Sequence, residues 1–340
     1  MKGGIHLSKK AWAVLLIAVG IVAVLLGATA SAQELETVRL SEVVRSVFYA
    51  PQYVAINKGF FEEEGIEIEL STAWGADKGA AALISGSVDV GFFGSEATVY
   101  IYKQGATDHL VGFAQLTARD GSFFLTRDVD EEFAWDNVRG KTIVGARIGG
   151  VPQMALEWVL KKHGIEPFVD VEIITSLAFE AAVGAFESGL GDYIAQFEPA
   201  LSEIEARGRG KIVASIGAEA GPMTYTVYHA KKSALEENPD LFARFTRAIH
   251  KGQLWVASHS AEEVAEMIAP FFPLIEHEIL VRSMGLYQSI NAWPTTPVIS
   301  EEHFIHLQEV MIEAGELDDF VPFSILMDTT IAQSVAEEAK

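Results

Sequence analysis

Residues 38–70, VRLSEVVRSVFYAPQYVAINKGFFEEEGIEIEL, decide the fold. The opening segment, 38–44, is an apolar, β-branched run, and Ile66-Glu67-Ile68-Glu69-Leu70 alternates with the period of a half-buried strand. Between them Pro51 suits the first turn of a helix, and Tyr53, Val54, Ile56 and Phe60 carry the helical pattern until Gly65 stops it after an acidic turn. The same alternation continues outward. Helices are expected at 77–85 and 98–102, and strands at 88–93 and 110–116. A second series follows the polar stretch 117–121, with strands at 122–126, 142–146, 171–175, 193–197 and 212–216 and helices at 153–163 and 180–187. This is an α/β pattern with largely parallel sheets. A strand-like segment at 225–229 comes next, and from Pro239 the chain reads as helical, with Leu241, Phe242, Phe245, Ile249 and Leu254 at helical spacing. The economical arrangement is two lobes: 33–117 with 224–340 as lobe I, and 118–223 as lobe II. The stretches near 117–120 and 217–226 then form a hinge.

Composition narrows the function. The 340 residues are 49% hydrophobic and 21% charged, which describes a globular chain, and the net charge of −22 repels phosphate backbones and excludes nucleic acid as a partner. With no cysteine there are no thiol nucleophiles, disulfides, Cys-zinc sites or iron–sulfur clusters. Lys9 and Lys10 precede a run from Ala11 to Ala30 without a charge, and Ala30-Ser31-Ala32 is a small-x-small cleavage pattern before Gln33. Residues 1–32 are therefore read as a signal peptide or, being long enough to span a bilayer, an uncleaved N-terminal anchor. Either way the working part is extracytoplasmic.

Several motifs carry a family resemblance. Tyr49-Ala50-Pro51, Ala55, Lys58-Gly59-Phe60-Phe61 and Gly65-Ile66, the run Ala82-Leu83-Ile84-Ser85-Gly86-Ser87-Val88-Asp89-Val90-Gly91, and Val138-Arg139-Gly140-Lys141-Thr142-Ile143 in the second lobe resemble the solute-binding proteins of ABC importers for nitrate, sulfonates, taurine and thiamine-type pyrimidines. The resemblance implies a two-lobed clamp of the type II periplasmic-binding architecture. It implies a small-molecule ligand held between the lobes, delivered to a membrane permease driven by its ATPase. Asp89 resembles the family's strand aspartate and is read as structural.

Open α/β sheets bind ligands at the loops that leave the carboxyl ends of their strands, and these loops nominate the site. After the first strand, Ser46 is a cap or a ligand contact, and Tyr49 offers a ring face and a hydroxyl. After the second, Trp74 suits stacking on a planar ligand, with Asp77 as the helix cap. After the third, Ser95 and Glu96 sit at a helix start. Gln115, Thr117 and Arg119 reach from the hinge, although Arg119 equally suits a pairing that locks it. Gly150 and Gln153 belong to a second-lobe loop with Pro152 at a helix start, and Glu198 ahead of Pro199 points into the cleft or into water. Tyr193 and Phe197 are aromatic neighbours, and Arg45 and Arg119 are the obvious cations. Two acids, Glu96 and Glu198, beside a bound anion are costly, which favours an aromatic heterocycle over nitrate or a sulfonate.

Catalytic signatures are missing from the sequence: it has no Gly-x-Ser-x-Gly elbow, no phosphate loop and no His-Glu-x-x-His. His303 and His306 with Glu302 lack a third metal ligand in view. Neither metal nor cofactor is expected. Pyrimidine-synthase relatives resemble the same fold, but their cysteine-rich motif has no counterpart here, so a binding protein is expected rather than an enzyme. An anchored ligand sensor would carry the same clamp.

Overall fold

A computed structural model describes residues 35–105 and 108–339. The expected leader or anchor, 1–32, lies outside them. Among the described residues no helix is long and apolar enough to cross a membrane.

Ten strands occur in chain order: β1 (Glu36–Glu42), β2 (Ile66–Thr72), β3 (Val90–Gly94), β4 (Leu110–Gln115), β5 (Ser122–Thr126), β6 (Thr142–Val144), β7 (Glu172–Ile174), β8 (Tyr193–Phe197), β9 (Lys211–Ser215) and β10 (Thr226–Lys231). They form two five-stranded sheets, β2-β1-β3-β10-β4 and β7-β6-β8-β5-β9. Interior β3, β5 and β8 are buried at every residue, whereas edge strand β2 alternates as its Ile-Glu repeat requires. In each sheet three strands pair in parallel, and a fourth runs against its neighbours: β10 in the first and β5 in the second. Those two are the strands the chain enters on crossing from one sheet to the other.

The crossings run side by side. Leu116 N donates to Thr226 O at 3.1 Å and Met223 N to Ala118 O at 2.9 Å. Thr226 N donates to Thr117 Oγ1 at 3.0 Å, and the two threonine hydroxyls are 2.6 Å apart. Residue 216, expected to end a strand, begins a short helix, Ile216–Ala220, because the Ser215 hydroxyl accepts the Ala218 amide at 3.2 Å. The helix expected to continue to Phe60 stops at Asn57 and restarts as Phe60–Glu63, because Gly59 has φ +75°.

Helix Pro239–Ser258 packs on Ala50–Asn57, with Gly252 so close to the Pro51 carbonyl that a Cβ would overlap it. Phe245 lies among Phe61, Phe113 and Tyr228, with ring centroids at 5.1–5.8 Å. The acidic turn before Gly65 is held from the same helix by Lys251, 2.8 Å from Glu64, and Arg247, 2.9 Å from Glu64. The tail, expected to complete the first lobe, also lies against the second. Tyr287 of helix His277–Ser289 packs at a tilt against Phe48 and Phe123, and His306 of helix Glu301–Glu313 meets the Ala220 carbonyl at 2.8 Å.

Candidate ligand-binding cleft

Between the two sheets lies a cleft of about 1120 Å³, lined from one side by the loops after β1, β2 and β3 and from the other by those after β6 and β7 and by the end of β8. This is the size and placement of a small-molecule site.

Trp74 stands at its mouth, 55% exposed, with the bulky residue held at φ +59°. A tryptophan in the left-handed region is strained, and the bond from Gly75 N to Val43 O at 3.1 Å helps fix the turn that presents it. Glu96 lines the inner end and is 6% exposed. Its side chain folds back over Gly94, where a Cβ would overlap the carboxylate, and its Oε2 has no hydrogen-bond partner. Burial pushes its pKa up to about 7, the amides of Glu96 and Val151 pull it down, and Asp120 pushes it further up. Tyr49 and Tyr225 line the same end, both with burial holding the hydroxyl protonated.

The second lobe contributes the loop 145–150. Gly150 caps helix Val151–Lys162 and lines the cleft, while Gln153 stands beneath it, accepting the Ala146 amide at 3.0 Å and donating to Glu157 at 2.8 Å. A hydrogen bond spans the lobes here: Tyr100 Oη donates to Gly149 O at 3.0 Å. Tyr100→Phe removes a bond worth about 1 kcal/mol, so calorimetric titration is expected to show ligand affinity weakened by up to about ten-fold with the fold intact. An unchanged affinity would mean that the bond does not favour closure.

Tyr49, Trp74, Glu96 and Gly150 therefore meet around one cavity, and the other candidates are placed elsewhere. The Ser46 hydroxyl accepts the Phe48 amide at 3.2 Å, and that of Ser95 donates to Tyr225 O at 3.1 Å. Gln115 is buried against the tail, its carbonyl accepting from Gln253 at 3.0 Å. Thr117 binds the returning strand, and Gln153 braces its loop. Arg119 is partly buried beside His303, away from the cleft lining. Glu198 is 1% exposed and turned from the cleft, accepting the Ser202 amide at 3.1 Å and the Ser283 hydroxyl at 3.2 Å. Ser46, Ser95, Thr117, Gln153 and Glu198 are drawn to partners that the loop rule ignores, whereas the Gln115 side-chain oxygen and Arg119 Nε are buried without a hydrogen-bond partner. Asp77 does not cap its helix, whose N-cap is Gly75, and lies exposed at the cleft mouth. Tyr193 turns away to Glu131 at 2.6 Å, whereas Phe197 stays on the lining. Arg45 is paired with Glu42 at 2.5 Å, and the cations on the lining are Lys78 and Arg147. Among the described residues no cluster suits a metal ion. Residues the sequence did not nominate are Tyr100, Arg147, Phe179 and Tyr225. The strand-to-helix rule that picked Gly150 covers Arg147 and Phe179 equally, whereas Tyr225 precedes a strand.

Two sheets crossed twice by the chain, with a ligand-sized cleft between their strand ends, define a binding protein of the type II periplasmic clamp architecture. The family model described as "NMT1/THI5 like" matches residues 47–263, and the chain belongs to that family. It is 41% identical over 313 residues to "Putative binding protein YtlA" of Bacillus subtilis, covering 92% of this chain and 94% of that one. Its fold is similar to the alkanesulfonate-binding protein SsuA of Xanthomonas axonopodis bound to MOPS, with TM-score 0.70, 15% identity and coverage of 87% of this chain and 99% of that one. It is similar too to the nitrate-binding protein NrtA of Synechocystis, with TM-score 0.69, 16% identity and coverage of 90% of each chain.

Proposed function

We propose that the protein is the extracytoplasmic substrate-binding component of an ABC importer, capturing a small organic nutrient between its lobes and handing it to a permease and its ATPase. Lobe I is 33–117 with 224–340 and lobe II is 118–223, and residues 1–32 serve as export signal or anchor. The ligand is a nitrogen heterocycle of the thiamine-type pyrimidine class. The observation that carries this choice is Glu96, a buried carboxyl with an unpartnered oxygen at the inner end of the cleft, suited to a ring N–H. Trp74 and Tyr225 offer ring faces along the same cavity. Binding works by differential contact: a ligand touching both lobes stabilises the closed form, and no reaction is required.

A second reading, sulfonate or nitrate, is favoured by a separate observation: the cations Lys78 and Arg147 lie on the lining of the same cleft as the helix start at Gly150. It also agrees with the ligands named for SsuA and NrtA. Thermal unfolding against aminopyrimidines, flavins, alkanesulfonates, taurine and nitrate separates the two. A ligand at a hundred times its Kd adds about 2.7 kcal/mol, a shift of several degrees. An aminopyrimidine shift that Trp74→Ala weakens by about ten-fold or more in Kd is expected, since the variant deletes both stacking and apolar area. A shift confined to sulfonates or nitrate would replace the heterocycle with the second reading.

A further inference from the structure

The cleft places a buried acid of one lobe near a helix start of the other. Helix Val151–Lys162 begins at the inner end, with Gly150 on the lining and free of a side-chain cap. Pro152 has no N–H and the Gln153 amide is bonded to Gly150 O at 3.1 Å, so this start offers the Val151 amide and the positive end of the helix dipole. The group facing it belongs to the other lobe: the Val151 amide acts on the Glu96 carboxylate, stabilising its charged form. Glu96 reaches it because Gly94 leaves space for the folded-back side chain, and Oε2 remains buried without a partner.

We propose that Glu96 is a built-in anion opposite the second lobe's helix start, so that the cleft turns away sulfonate- and nitrate-type ligands while this carboxylate is charged and admits ligands that bring an N–H or a positive charge to it. The inference rests on the reading of the cleft as a ligand site and specifies its selectivity. The groups around Glu96 do not neutralise it. Tyr49, Tyr100 and Tyr225 are its phenolic neighbours, and Asp120 is a second buried acid. Glu316 is a third acid on the lining, near Gly149. Lys78 and Arg147 are exposed residues of the lining, and neither forms an ion pair among the described residues. An anion entering the inner end meets a like charge in a poorly solvated place.

The test is calorimetric titration of the purified protein with ethanesulfonate, which keeps its charge throughout, near pH 5.5 and near pH 8.5. Wild type is expected to bind it about ten-fold or more weakly at the higher pH, where Glu96 is ionised. Glu96→Gln is expected to show a much smaller pH difference, the remainder coming from Asp120, pushed up to about 6. Gly94→Ala, which displaces the carboxylate without removing it, is expected to shrink the wild-type pH difference. Ethanesulfonate binding that is equal at the two pH values in wild type, or absent in Glu96→Gln, overturns the proposal. A Trp74-dependent ligand found alongside that negative result would leave the ligand-site reading standing. Failure of every ligand class to bind would remove that reading and this inference together.

Discussion

Replacing Glu96 by glutamine is expected to stabilise the protein at pH 8.5 by on the order of 3 kcal/mol and to change little near pH 4.5. The cause is burial of a carboxyl whose folded-state pKa is about 7 against an ordinary value of 4.5. A group whose pKa is raised by folding favours the folded state while it is protonated. That contribution is complete below about pH 4.5 and is lost as the pH rises through about 7. Glutamine keeps the shape and has no charge to desolvate, so the two stability curves should separate across that window. Asp120, pushed up to about 6 by the same burial, gives both proteins a similar slope at lower pH and cancels in the difference. Urea unfolding at half-unit steps of pH measures it. Curves that stay parallel from pH 4.5 to 8.5 would mean that Glu96 is solvated and the inner end of the cleft is open to water.

A second large effect is expected at the crossing of the two chains. Gly217 lies against the main chain of Asp120, where a Cβ would overlap the carbonyl oxygen and come within 2.8 Å of its carbon. A backbone segment cannot rotate away as a side chain does, so Gly217→Ala must push the two crossings apart. The expected loss is about 3 kcal/mol, with the Thr117–Thr226 and Ala118–Met223 bonds of the same crossing disturbed. Ligand affinity should fall along with the unfolding midpoint, because the crossings set the relation between the lobes. A Gly217→Ala protein as stable as wild type would show that the crossings have slack, and would remove the rigidity on which a hinge account depends.

Much of this architecture was legible. β5 and β8 begin and end where the sequence places them, because each is a short apolar run between polar stretches and each becomes fully buried. β3 begins two residues later than its apolar run suggests. Asp89 is tied to Arg39, with the carboxylate accepting the Arg39 amide and guanidinium at 2.6–2.9 Å, which supports the structural reading of that aspartate. Helix Ala200–Ala206 was not anticipated, and its start is held by the Glu198 carboxylate on the Ser202 amide, a contact without a periodic signal.

The site was legible in a different measure. The rule that ligands meet the carboxyl ends of strands named loops that line the cleft, and within them Tyr49, Trp74, Glu96 and Gly150 are on the lining. It could not tell which way a small polar side chain turns. Ser46, Ser95 and Thr117 each satisfy a nearby backbone group, and Gln115 is buried against the tail. Glu198 is taken up by the tail helix His277–Ser289, more than eighty residues away in the chain. Tyr225 escaped notice because it enters the cleft from the returning crossing rather than from a strand-to-helix loop.

The central claim is that a small ligand is held between the lobes at the inner end of this cleft. Crystallising the protein with the compound that gives the largest thermal shift tests it most directly. The account predicts ligand density between Trp74 and Tyr225, with a ring nitrogen or amino group within hydrogen-bond distance of the Glu96 carboxyl. Density for that ligand at any other place on the molecule, with the cleft between the sheets left to solvent, would contradict it.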